Sequence, residues 1–158
     1  MADEENFEVG DAGQALTYPL AAGSVKVGAY CMLKGFPCKV VAYSTSKAGK
    51  HGHAKASIAG DDIFTGKRVE DSCPTSHNME IPFVKKTEYQ IIDVQEDGFV
   101  HLMADDGEVR EDLKLPEDEQ SIKLVDEIKT NFEADKEVYV IVQGAMNQEK
   151  IISSRIKE

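Results

Sequence analysis

The sequence predicts a mainly β protein made of two small β domains in series, the second carrying one α-helix. Three observations lead to it. Short runs with apolar residues at period two recur along the chain, each closed by Gly, Pro, Asp or Asn. Only the stretch after Pro116 carries a helical period. The strand pattern stops at Pro82 to Lys86 and then restarts, which reads as a linker because Pro cannot extend a central strand and Lys85-Lys86 suits solvent.

In chain order, residues 1–14 are acidic and Gly-containing and are expected to be a disordered tail. The strands expected next are residues 26–33, 39–43, 54–59, 68–72 and 78–83, with turns at Lys34-Gly35-Phe36-Pro37, Gly60-Asp61-Asp62 and Thr65-Gly66-Lys67. Strands of this length and spacing make a small barrel or sandwich, here residues 15–84. The second domain, 85–158, opens with strands at 88–94, 99–104 and 108–113, joined through Asp97-Gly98 and Asp106-Gly107, both strong hairpin signals. Then Glu117-Asp118-Glu119 precede Ile122, Leu124, Val125, Ile128 and Phe132, the stripe of an amphipathic helix with an acidic first turn. Strands at 137–142 and 150–156 close the chain. Five strands with a helix in that position fit the partly open barrel called the OB-fold.

Composition excludes several functions. No run of 18 apolar residues exists, so nothing is expected to span a membrane. The acidic start is unlike a signal peptide. Three cysteines, Cys31, Cys38 and Cys73, have no close repeated spacing and are expected to be inert thiols in a reducing compartment. The net charge of −11 argues against a general polyanion binder. Its distribution is uneven, however: from Ala12 to Gly60 there are six lysines and no acid. That stretch is either a face for a polyanion or a solvated lysine surface, and charge leaves both open.

Within it lies Ser44-Thr45-Ser46-Lys47-Ala48-Gly49-Lys50-His51-Gly52-His53-Ala54-Lys55, a basic connection between two strands with no acid and no large apolar anchor. Gly49 and Gly52 bracket Lys50 and His51, which predicts an exposed finger with Lys50 near its tip. Gly49-Lys50 lacks the Ser or Thr and the upstream Gly of a P-loop, so nucleotide hydrolysis is not expected. His51 and His53, with His77 or Cys73, could offer metal ligands, but structural zinc brings closely paired ligands on a fixed framework, and no metal is expected. A nucleophilic lysine would need a pocket that lowers its pKa, and none is legible. Tyr89, Phe99 and Tyr139 could stack on bases or pack in the core.

The finger closely resembles the hypusine loop of the translation initiation factor 5A family. Further similar blocks are Gly10–Gly13, Leu33-Lys34-Gly35, Pro37-Cys38-Lys39, Asp62–Lys67, Cys73-Pro74, His77-Asn78-Met79 and Gly107–Leu113, in order over nearly the whole chain. Bacterial elongation factor P is a distant relative with a third domain that this chain is too short to hold. The resemblance implies an SH3-like N-terminal barrel and a C-terminal OB-fold. It implies a non-enzymatic translation factor, without cofactor, in which deoxyhypusine synthase and then a hydroxylase convert Lys50 to hypusine using spermidine. The factor would bind the ribosome beside the acceptor end of peptidyl-tRNA. There it would promote peptide-bond formation at slow sequences such as proline runs, and assist release.

On this resemblance Ser46, Lys47, Gly49, His51, Gly52, His53 and Lys55 would contact RNA or the modifying enzymes, and Lys26, Lys34 and Lys39 ribosomal RNA. Ala48 stands where the family usually has Thr, and Phe36 where a basic residue is common. A cytoplasmic monomer is implied, with weak dimerisation and nuclear passage left open. The competing reading is a general single-stranded RNA-binding OB-fold protein.

Overall fold

The computed structural model describes residues 15–47 and 54–157, so the acidic tail lies outside the described residues. The chain forms two compact units, one running to Ile63 with Lys67–Phe83, the other comprising Phe64–Gly66 and Val84–Glu158. Both are β domains, and the described residues hold a single α-helix.

The first unit is an SH3-like barrel of six strands: β1 (Thr17–Ala21), β2 (Tyr30–Leu33), β3 (Phe36–Lys47), β4 (Ala54–Asp62), β5 (Arg68–Pro74) and β6 (Asn78–Pro82). A four-stranded sheet runs β2-β3-β4-β5, and β1 pairs with β6. The sequence pattern misses β1, whose Tyr18 and Pro19 face outward and break the apolar alternation. It also reads too long a turn between β2 and β3. The observed turn is Lys34-Gly35, both at positive φ (51° and 87°), with Leu33 opposite Phe36. Such a turn matches strand twist and lets pairing start at once. Pro37 fits inside β3 because only its carbonyl is used, accepting from Ile63 N–H at 3.0 Å.

The core of this unit contains Leu33, Val40 and Ile58 from the larger sheet and Met79 and Ile81 from β6. Cys31 and Cys38 face each other across β2 and β3, and Cys31 Sγ lies 3.8 Å from Met79 Sδ. Gly60 is required for space: a Cβ there would stand 2.9 Å from Cys38 Cβ and 2.9 Å from the Lys39 carbonyl oxygen. Val41 is an extra residue in β3 where the register with β4 shifts. Val40 faces inward before this bulge and Tyr43, opposite buried Ile58, faces inward after it.

The second unit is the OB-fold: β7 (Lys85–Val94), β8 (Phe99–Met103), β9 (Val109–Lys114), helix α1 (Ile122–Glu133), β10 (Glu137–Ala145) and β11 (Gln148–Lys157). Sheet order is β11-β10-β7-β8-β9. Lys85-Lys86, read from sequence as linker, is the start of β7 and pairs with Gly144 and Gln143. Both Asp-Gly hairpins form; Phe99 N–H donates to Asp97 Oδ1 at 3.1 Å and Glu108 N–H to Asp106 Oδ1 at 2.9 Å.

The helix stripe is corrected in two places. Ile122 is exposed, and the buried contacts come from Ile128 with Leu124, Val125 and Phe132 beside it. The acidic residues precede α1 rather than forming its first turn. Glu119 opens a 3-10 turn, Glu119–Ser121, and Asp118 receives the Ser121 hydroxyl at 2.9 Å and pairs with Lys150 at 3.0 Å. Burial raises the Asp118 carboxyl, but hydrogen bonds from Lys150 and Ser121 outweigh it and hold it below its ordinary range.

The two ends of the sheet order, β9 and β11, are tied by Arg110. Its guanidinium donates to Asp112 Oδ1 and Oδ2, both at 2.8 Å, and to Glu149 Oε1 and Oε2 at 2.7 and 3.0 Å. These bonds hold both carboxyls low, although partial burial opposes the shift. Both acids have depressed folded pKa values. The stability they contribute is therefore present above the ordinary carboxylate range and is lost as pH falls through the depressed values. Arg110→Leu is expected to cost about 1–2 kcal/mol, discounted for exposure of the carboxylates, and to flatten the fall in thermal stability below about pH 4.5, the ordinary Glu value. Calorimetry from about pH 3 to about pH 7, a range that spans the ordinary carboxylate values, measures both. Gly60→Ala is expected to cost about 1–3 kcal/mol by overpacking, read as a lower Tm of the first unit.

Candidate functional site

The finger expected from sequence is the end of the β3–β4 ribbon. Its two strands stay paired further than the sequence pattern suggested: Ser46 lies opposite Lys55 and Lys47 opposite Ala54. Part of the predicted loop of about ten residues is thus stem, since Ser44 to Lys47 continue the strand. Polar Ser and Thr residues there carry no apolar alternation, which is why the sequence reading stopped at Tyr43. Gly49, Lys50, His51, Gly52 and His53 lie outside the described residues.

Ser46, Lys47 and Lys55 are all exposed at the end of the ribbon, so the structure brings these three together. Lys39 is exposed further down β3, between Tyr30 on β2 and Asp61 on β4. Asp61 is already engaged by Arg68 at 2.7 Å. Lys34 sits at the β2–β3 turn and lines a groove of about 580 Å³ with Ser44, Ser57, Ser72 and Arg68. Lys26 lines a separate groove of about 430 Å³ with Tyr18 and Tyr30. The lysines named from sequence therefore do not form one patch: three finger residues cluster, and Lys26, Lys34 and Lys39 occupy distinct places on the barrel.

Among the described residues no three His, Cys, Asp or Glu side chains are grouped to hold a metal. Cys31 and Cys38 are buried, and burial pushes each thiol up to about 11. Cys73 is partly exposed and raised less, again by burial. No helix of the described residues is long and apolar enough to cross a membrane.

The aromatic residues of the OB-fold are engaged within the protein. Tyr89 packs against the core and its hydroxyl accepts from Arg110 at 3.4 Å. Phe99 lies under Lys114 Nζ at 5.7 Å. The Tyr139 ring is covered by the Arg155 guanidinium at 4.6 Å, and that arginine is paired with Glu88 at 2.8 Å. Sequence reasoning missed these cations because their partners come from other strands.

Residues 15–77 match the family described as translation initiation factor 5A-like, N-terminal, and residues 83–155 match the eukaryotic elongation factor 5A hypusine, DNA-binding OB fold family. Eukaryotic translation initiation factor 5A-3 of Arabidopsis thaliana is 49% identical over 94% of this chain and 92% of its own length. The chain belongs to the translation initiation factor 5A family. The Zea mays factor 5A is 51% identical over 95% of this chain and 92% of its own length. Among solved structures, a factor 5A family protein from Naegleria fowleri matches with TM-score 0.84 and 50% identity, over 89% of this chain and 99% of that one. The factor 5A of Methanococcus jannaschii matches with TM-score 0.66 and 31% identity, over 90% and 96%. Like the rest of the factor 5A family, this is a translation factor acting in protein biosynthesis.

The thiol environments give a direct check. At pH 8, where a thiol with pKa near 11 is about 0.1% ionised, folded protein is expected to take up one iodoacetamide, at Cys73. Cys31 and Cys38 are expected to react only after denaturation, as read by peptide mass spectrometry.

Proposed function

We propose that the chain binds the ribosome beside the acceptor end of peptidyl-tRNA and, through hypusine at Lys50, promotes peptide-bond formation at slow sequences such as proline runs and assists termination. The observation that carries this reading is the placement of Lys50 within the six residues between Lys47 and Ala54, which face each other at the end of the ribbon. The family whose description names hypusine supports it. Deoxyhypusine synthase and deoxyhypusine hydroxylase are the modifying partners, with spermidine as the aminobutyl donor. The work is divided between residues 15–84, which present the modified lysine, and residues 85–158, and it is done in the cytoplasm.

Hypusine adds about 6 Å of reach at ordinary bond lengths and a second amine on a thin stem. The mechanism is orientation. The two amines contact phosphate and ribose of the tRNA end and favour its reactive pose, and Lys50 makes or breaks no bond in the peptidyl reaction. Ser46, Lys47 and Lys55 stand at the base of that reach. With Gly49, His51, Gly52 and His53 they serve RNA contact or recognition by the modifying enzymes. Lys26, Lys34 and Lys39 contact ribosomal RNA from their separate positions on the barrel. General single-stranded RNA binding through the OB face is disfavoured, because the Tyr139 and Phe99 rings are already covered by cations.

Peptide mass spectrometry on protein from its own cells is expected to find hypusine at Lys50. Lys50→Arg is expected to lose stimulation of proline-run synthesis by about 100-fold, the scale of a lost orienting contact, with Tm unchanged. An unmodified lysine in native protein that still stimulates fully would overturn the reading.

A further inference from the structure

Beyond Val40 the strand β3 has only one neighbouring strand. Its last backbone bonds on the other edge are Val40 N–H to Ala29 O at 2.8 Å and Gly28 N–H to Val40 O at 2.9 Å. β4, however, stays paired with β5 as far as Lys55–Pro74, so this part of β3 is the free edge of a three-stranded sheet. Two turns close along that edge and against the outer end of β4. One is the 3-10 turn Ala22–Ser24, and the other joins β5 to β6.

The hydrogen bonds form a continuous collar. Tyr43 Oη donates to the Ala22 carbonyl at 2.9 Å. Ala22 N–H donates to His77 O at 2.8 Å, and His77 N–H to Pro74 O at 3.0 Å. Gly23 N–H donates to Thr75 O at 3.0 Å, and Thr75 N–H to Ala54 O at 3.0 Å. Thus β3 is held by a side chain and β4 by the carbonyl of its first residue, both to the same pair of turns. Ala22 is fully buried, so the Tyr43 bond ends away from water, where direction is best kept. Gly23 has little room: a Cβ there would stand 3.3 Å from Thr75 Cβ and 3.4 Å from its carbonyl oxygen. The bulge at Val41 turns Tyr43 inward to make its bond.

We infer that this collar is a positioning device: beside the β4–β5 ladder, Tyr43 and Gly23 fix the course of the free edge β3 as far as Lys47, and so the base from which residue 50 is presented. The inference rests on the function proposed above and assigns it two further residues, both acting through the course of β3. A purely structural role would lower stability alone. A positioning role lowers the maximal rate while leaving ribosome affinity in place, because orientation acts on the reacting pose rather than on docking.

The test uses full-length protein carrying hypusine, its stoichiometry confirmed by mass spectrometry, in reconstituted synthesis of a proline-run peptide. Tyr43→Phe keeps the ring and removes one hydroxyl. It is expected to cut the maximal rate about tenfold, well inside the range for a misplaced contact. The half-saturating concentration should stay within about twofold, the scatter allowed for uniform binding, and hydrogen exchange at the Thr75 amide should quicken. Gly23→Ala is expected to do the same from the opposite side of the collar. Lys50→Arg runs alongside. If it is inactive while Tyr43→Phe and Gly23→Ala keep the full maximal rate, or change only half-saturation, the collar is overturned and the function stands. If Lys50→Arg is fully active, the function itself falls. Should Gly23→Ala not fold, Tyr43→Phe decides alone.

Discussion

The pairing of β3 with β4 is the constraint on which the first unit depends. One ladder serves two ends. At Val40, Ile58 and Gly60 it forms a wall of the core, so closely packed that no side-chain carbon fits on Gly60. At Lys47 and Ala54 it is an exposed ribbon. Because strands are stiff along their length, fixing the register at the core end fixes which residues face each other at the far end. A slip of one residue would expose Ile58 and turn Lys55 inward, and both changes are costly. The hydrophobic core therefore specifies the geometry of a polar site that contributes nothing to that core.

The second unit meets a different demand. Its strands carry acidic side chains on many exposed positions, and self-repulsion opposes closure of the sheet. Arg110 answers this locally by gathering Asp112 and Glu149 from the two ends of the sheet order around one guanidinium. The planar fork suits two carboxylates as a lysine could not. Arg155 does similar work between Glu88 and Tyr139. The arginines of this unit, Arg110 and Arg155, are spent on holding strands together.

Much of this was legible in the sequence because alternation and turn chemistry are local. The Asp-Gly hairpins, the helix after Pro116 and the restart of the strand pattern all rest on neighbours within a few residues. What was not legible depended on partners far along the chain. β1 has no alternation of its own and is a strand only because β6 lies beside it. The stem residues Ser44 to Lys47 are polar on both faces and are held extended by β4. The Val41 bulge cannot be seen in Val40-Val41-Ala42, since either valine could face inward until the partner strand sets the count. Lys50 is expected to be exposed from its glycine-flanked, acid-free surroundings, and its modification is carried by resemblance; it lies outside the described residues.

The bulge connects these levels. Without it, Ala42 and Ser44 would follow Val40 on the inner face, and Tyr43 would point to solvent. With it, one inserted residue places a long polar-tipped side chain over the core at the point where β3 loses its second neighbouring strand. The ring supplies packing that a serine could not, and the hydroxyl reaches a buried carbonyl that a phenylalanine could not. Bulges often re-aim a side chain beside a functional site, and here the re-aimed residue stands between the core and the ribbon that carries Lys50. Packing on one side of Tyr43 and a single directional bond on the other are enough to transmit the rigidity of the barrel into a strand that no second neighbour supports.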